Sequence, residues 1–226
     1  MKIGILQTGH VPDVLVKQNG NYDQIFSNFL GGNGFEIETW PVVDMVFPPN
    51  AEAADGWLIT GSRFGVYEDH RWIAPLEQLI RDIHARRAPL IGVCFGHQII
   101  AQALGGKVEK FADGWAVGRT NYDMGDKTLT VNAWHQDQVI EPPKEAKVLG
   151  GNAFCENAVL AYGDTIWTLQ PHPEFTAQYL DGLLKTRGPG LVPDDLLAQA
   201  THTLNEPNSN DDIAAFMVAF FKKERA

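Results

Sequence analysis

The chain has 226 residues, 44% hydrophobic and 20% charged, close to globular averages; this excludes extensive disorder and suits one large domain. Its 18 Lys and Arg against 28 Asp and Glu leave a net charge of −10, which argues against a nucleic-acid backbone or an anionic membrane surface as the main partner. Two cysteines, Cys94 and Cys155, are too few for a disulfide framework, and no apolar run approaches the roughly 20 residues that span a bilayer, so a cytoplasmic protein is expected.

Short apolar runs alternate with helical patterns, the mark of an α/β sheet with helices on both faces. Ile3 to Leu6 reads as a buried first strand and Tyr22 to Leu30 as the helix after it. Gly31-Gly32-Asn33-Gly34 ends that helix, and Phe35 to Trp40 forms the next strand. Trp57 to Thr60 is a short strand running into a loop opened by Gly61. Ile73, Leu76, Ile80 and Ile83 recur at three- and four-residue spacing and predict a helix. Leu90 to Val93 follows as a fully apolar strand, suited to the centre of a parallel sheet. The second half reads as more antiparallel, with strands over Thr128 to Val131, Lys147 to Leu149, Ala158 to Tyr162 and Thr165 to Leu169. Gly163-Asp164 turns the last two into a hairpin. At the C-terminus Ile213, Phe216, Met217, Phe220 and Phe221 share one face of an amphipathic helix, capped by Asn210 or Asp211 and packed on the parent domain. No repeat or linker divides the chain; a single domain over 1–226 is expected, with a core to about residue 190 and a helical extension over 191–226.

The stretch Gly92-Val93-Cys94-Phe95-Gly96-His97-Gln98 carries the strongest chemical signal. An apolar strand ends at Cys94, and an apolar-periodic segment (Ile99, Ile100, Ala103, Leu104) begins just after it. Glycines two residues to either side complete the spacing of a tight strand-to-helix elbow, with sulfur in place of a serine oxygen. A side chain at either glycine would clash across the turn. The helix N-terminus favours a thiolate, and the Phe95 N–H points where an oxyanion would form. A lone cysteine in an apolar run is ordinarily core, and Cys155, without such a context, reads as a packed thiol.

Gln170-Pro171-His172-Pro173-Glu174-Phe175 supplies a candidate base. Its prolines remove helical options, so the segment is expected to be extended, with residues i and i+2 on the same side. Glu174 then reaches the His172 imidazole and fixes its tautomer, the base–orienter half of a Cys-His-acid triad. Taken alone, such a segment is more often a surface loop. His10, His70, His84, His97 and His202 have no comparable partner pattern, although His97 is expected to brace the elbow by hydrogen bonding. His135, within Trp134-His135-Gln136-Asp137, either lines a pocket or is exposed. No Cys/His spacing suggests zinc, and no Gly-rich stretch has the ending that cradles phosphates.

Jointly these residues resemble the class I glutamine amidotransferase family. The elbow around Cys94, the Gly105-Gly106 pair and Pro171-His172-Pro173-Glu174 occur in that family's order, over about Met1 to Tyr179. The resemblance implies a flavodoxin-like three-layer α/β sandwich with a mostly parallel central sheet, a small antiparallel sheet and C-terminal helices. It implies Cys94 as nucleophile, His172 as general base then acid, Glu174 as its orienter, and the Gly61 and Phe95 amides as the oxyanion hole. Gln98 falls near the bound glutamyl group, with Arg63, Trp134 and His135 as further substrate contacts. The implied reaction is hydrolysis of a small-molecule γ-glutamyl amide through a cysteinyl thioester, with no metal or organic cofactor and no nucleic-acid or membrane partner.

Many members carry Gly-Gly-Pro in the second oxyanion loop, where this chain has Thr60-Gly61-Ser62-Arg63. That loop, with Trp134-His135-Gln136-Asp137, is similar to the GMP-synthase-like branch that includes plant γ-glutamyl peptidases. Three functions stay open: an ammonia donor working with a separate synthetase subunit, a stand-alone γ-glutamyl peptidase, and a non-catalytic binding or regulatory member of the fold. On a peptidase, Arg63 would pair with a carboxylate of the leaving group.

Overall fold

The computed structural model describes residues 1–225. Its strands are β1 (Lys2–Leu6), β2 (Glu36–Trp40), β3 (Gly56–Ile59), β4 (Leu90–Val93), β5 (Lys107–Lys110), β6 (Ala116–Asp123), β7 (Thr128–His135), β8 (Asp137–Glu141), β9 (Ala146–Gly150), β10 (Val159–Tyr162) and β11 (Ile166–Leu169). Its helices are α1 (Asp13–Asn19), α2 (Tyr22–Phe29), α3 (Ile73–Ala85), α4 (Phe95–Ala103), α5 (Ala177–Thr186), α6 (Asp194–His202) and α7 (Asn210–Lys222).

The apolar runs assemble into one seven-stranded sheet of order β2-β1-β3-β4-β11-β10-β9. The first five strands of that order are parallel to one another, and β10 and β9 add antiparallel at one edge. Every residue of β3, β4 and β11 is buried, because helices cover both faces; this is why these strands carry no polar alternation. The pleat divides the core in two. Leu6, Trp57, Ile59, Leu90 and Ile166 face α3 and α4, whose Leu76, Ile80, Ile99 and Ile100 fill that side. Ile5, Leu58, Ile91, Val93 and Trp167 face the other way, toward Phe26 of α2 and toward α7. The result is a flavodoxin-like three-layer sandwich.

Three local expectations change. Two two-stranded antiparallel sheets, β5–β8 and β6–β7, stand where one small sheet was expected. The strand starting at Thr128 runs on to His135, because all of β6 pairs with it from Ala116↔His135 to Asp123↔Thr128. The cap of α7 is Ser209, with Asn210 and Asp211 inside the first turn. The Ser209 hydroxyl accepts from the Thr130 N–H at 3.0 Å, so it fastens the helix start to β7 rather than capping the helix itself. Within α7 the buried stripe is Ile213, Met217 and Phe221, four residues apart. Phe216 is 45% exposed and leans on Trp167 from the flank, with ring centroids 4.7 Å apart.

Candidate active site

Cys94 occupies the junction where β4 ends and α4 begins, at the carboxyl end of the parallel strands, where open α/β sheets place their sites. Its backbone has φ 52° and ψ −104°, a left-handed conformation that costs a non-glycine residue on the order of 1–3 kcal/mol. The flanking glycines make this turn possible. A Cβ on Gly92 would sit 2.5 Å from the Gly96 carbonyl oxygen, and one on Gly96 would collide with the Ile59 carbonyl of β3. The Phe95 N–H is among the first amides of α4, which have no intrahelical acceptor. The Phe95 ring itself is buried against Trp72, with centroids 5.3 Å apart.

His172 and Glu174 do meet, with Nδ1 and Oε1 2.7 Å apart and both side chains buried. The backbone route differs from the extended one expected. The His172 N–H donates to the Asn132 carbonyl at 2.8 Å, forming an isolated bridge to β7, and Pro173-Glu174 then turn. The turn, rather than strand alternation, returns Glu174 to the imidazole. The ring lies flat on Phe175, centroids 3.9 Å apart, and Phe175 rests edge-on against Tyr179 at 4.6 Å. Burial alone would strip the imidazole of its proton, but the neighbouring Cys94 and the Glu174 carboxylate outweigh it and push His172 up to about 10. With Nδ1 committed to Glu174, Nε2 is the nitrogen left for chemistry.

Gly61 closes the triangle. A Cβ there would lie 3.0 Å from His172 Cε1 and 3.7 Å from Cys94 Cβ, so its backbone is adjacent to both groups. The loop lacks the proline of Gly-Gly-Pro, and a side chain unmarked in the sequence anchors it instead. The Thr8 hydroxyl, just past β1, lies 2.9 Å from the Thr60 carbonyl and 3.1 Å from that of Gly61. The Thr8 N–H donates to Thr60 Oγ1 at 3.0 Å.

Two adjoining cavities open on this triangle. One, of about 330 Å³, is lined by Cys94, Gln98, Arg63, Trp134 and His135. The other, of about 660 Å³, is lined by His172, Arg63 and Trp134 among others. The Gln98 side-chain N–H groups donate to the Asp137 carbonyl (2.9 Å) and to Gln170 Oε1 (3.0 Å), which leaves its own carbonyl oxygen uncommitted. His135 is buried and lines the smaller cavity, resolving its two sequence readings. Burial, aided by the nearby His172 charge, pulls it down to about 3 and keeps it neutral. His97 is likewise held near 3 by burial, and its Nδ1 lies 2.8 Å from Thr168 Oγ1, so it braces α4 against β11. Burial pushes the Cys155 thiol up to about 12, consistent with an inert core residue. Three of the histidines without a pattern comparable to that of His172 contact carboxylates at the surface: His10 with Asp44, His70 with Glu68 and His84 with Glu145. Besides Thr8, the sequence left Arg187 unmarked; it reaches both cavities from the end of α5, where a basic residue is ordinary helix chemistry.

Comparison with known proteins adds lineage to this geometry. The model of the family described as "Glutamine amidotransferase class-I" matches residues 20–184. Gamma-glutamyl peptidase 4 of Arabidopsis thaliana is 32% identical over 181 residues, covering 73% of this chain and 72% of that protein. GMP synthase [glutamine-hydrolyzing] of Clostridium kluyveri is 29% identical over 171 residues, 71% of this chain but 32% of that protein. A solved glutamine amidotransferase from Thermotoga maritima superposes with a TM-score of 0.74 at 20% identity, covering 98% of this chain and 99% of that one.

Proposed function

Because the chain belongs to the class I glutamine amidotransferase family, we propose that Cys94, His172 and Glu174 form its catalytic triad and that it hydrolyses a γ-glutamyl amide through a cysteinyl thioester. The observation that carries this reading is the convergence of the Cys94 elbow, the Gly61 backbone and a His172 imidazole whose Nδ1 is 2.7 Å from Glu174. In the first half-reaction the Cys94 sulfur bonds to the γ-carbonyl carbon, and the carbonyl electron pair moves onto oxygen. The Gly61 and Phe95 amides stabilise that oxyanion. As it collapses, the C–N bond breaks and the proton on His172 Nε2 passes to the leaving nitrogen. In the second half, His172 takes a proton from water, the hydroxide attacks the thioester, and the C–S bond breaks to release glutamate and regenerate the thiol pair. Glu174 holds the ring and offsets its positive charge throughout.

Within that chemistry the stand-alone γ-glutamyl peptidase is the better-supported reading. The Arabidopsis relatives bearing that name match over 71–73% of this chain and of their own length, whereas this chain spans about a third of the GMP synthase it matches. The purified chain should therefore release glutamate faster from some γ-glutamyl dipeptide or glutathione conjugate than from glutamine, read by mass spectrometry. A chain inert on all of these until a synthetase is added would establish the ammonia-donor reading instead.

A further inference from the structure

We infer that the larger cavity receives the leaving amine and that Arg187, acting with Arg63, binds a carboxylate which that amine carries; the substrate class is then a γ-glutamyl peptide with a free C-terminal carboxylate. The inference rests on the hydrolase reading above. Its starting point is how the two cavities divide the triad. Cys94 and Gln98 line only the smaller one, and His172 lines only the larger. The nucleophile bonds to the acyl carbon and the imidazolium protonates the nitrogen, so the acyl group lies on the sulfur side and the amine departs on the imidazole side. Size agrees. Ammonia, close to water in bulk, needs about 30 Å³, whereas the imidazole-side cavity holds about 660 Å³, twice the 330 Å³ on the sulfur side.

Charge supplies the specificity. Ser62, Arg63, Phe64, Trp134 and Arg187 form the wall common to both cavities. Arg63 lies over the Phe64 ring, 4.9 Å from its centroid, and neither Arg63 nor Arg187 pairs with a carboxylate among the described residues. The acidic residues of the larger cavity, Asp13 and Asp44, are absent from that common wall, and Asp44 is held by His10 Nε2 at 2.9 Å. A net charge of −10 disfavours the approach of anionic peptides in general, so their capture needs local cationic groups. Glu68 and Asp137 line only the smaller cavity, so the wall common to both holds two uncommitted guanidinium groups and no carboxylate, and these offer forked donors suited to a carboxylate.

The test uses the Cys94→Ala chain, which binds without turning over, and calorimetry with γ-glutamyl-alanyl-glycine and its C-terminal amide. The free acid should bind roughly tenfold more tightly than the amide. Adding Arg187→Gln should remove most of that difference, while Arg187→Lys should keep part of it; matched circular dichroism and melting curves would establish that the variants fold. Equal binding of acid and amide, no binding of either, or discrimination that survives Arg187→Gln would overturn the assignment. So would an equal loss for acid, amide and glutamine, since the arginine would then be serving the α-carboxylate of the glutamyl group. The hydrolase reading fails on a different result, namely no glutamate release from any γ-glutamyl compound by the wild-type chain; the binding comparison is read independently of it.

Discussion

Cys94 and Cys155 are both buried, yet they stand in different surroundings. Cys94 stands at a strained helix start beside His172, whereas Cys155 sits in the core with its thiol pushed up to about 12. Cys94→Ala should therefore abolish glutamate release and Cys155→Ala should leave it nearly intact. A glutamine-like chloroketone should add once, at Cys94; peptide mapping that finds the label mainly at Cys155 would reverse the assignment. Glu174 supports a different expectation. Its carboxylate contacts the imidazole and interacts most strongly with the charged ring, so Glu174→Gln should lower kcat far more than it raises KM. The loss should stay smaller than for His172→Ala, which removes the proposed proton carrier. Unchanged steady-state rates for Glu174→Gln would mean that the 2.7 Å contact only shapes the turn.

Among the elements, α7 shows how an amphipathic pattern is resolved by what it lands on. Five apolar residues compete for its inner face, and the sheet accepts Ile213, Met217 and Phe221. Phe221 reaches Phe35 edge-on at 6.0 Å and crowds Gly56 of β3, where a Cβ would come within 3.0 Å of the Phe221 ring. Met217 is fully buried, so Met217→Ala should cost about 2–5 kcal/mol in a denaturant titration. Phe216→Ala should cost well under half as much, because that ring is already half in water. Equal costs would show that the flank against Trp167 matters as much as the stripe.

At the scale of the whole molecule, two buried histidines that must stay neutral weaken the fold in acid. His97 and His135 have ordinary values near 6.5 when unfolded and are pulled down to about 3 by burial in the native state. The unfolded chain thus binds these protons first as pH falls. The stabilisation is complete above pH 6.5, declines below it, and is lost as pH falls through about 3. The melting temperature should drop across that window, and His97→Asn, which keeps a polar group beside Thr168 but cannot take up a proton, should flatten the decline. A parallel decline in both proteins would place the acid sensitivity elsewhere. No described helix is long and apolar enough to cross a membrane.

What the sequence by itself determined lies mostly within short stretches. The elbow, the apolar strands and the hairpin after β10 are written in spacings of a few residues, where sterics and side-chain periodicity act directly. His172 and Glu174, by contrast, are marked by their proximity in sequence but meet through a turn that alternation does not foresee. Tertiary structure decided what depends on distant partners. Thr8 restrains the Gly61 loop from a strand end 53 residues away, and the bridge to Asn132 ends at His172, after which Pro173-Glu174 turn where an extended segment was expected. β6 was hidden because its polar mixture becomes a strand only when β7 lies beside it. Arg187 is an unremarkable helix end until folding brings it to the wall shared by two cavities. Local chemistry is legible wherever one stretch of backbone geometry fixes it, and it escapes the sequence wherever contacts between remote segments choose among equally permissible local forms.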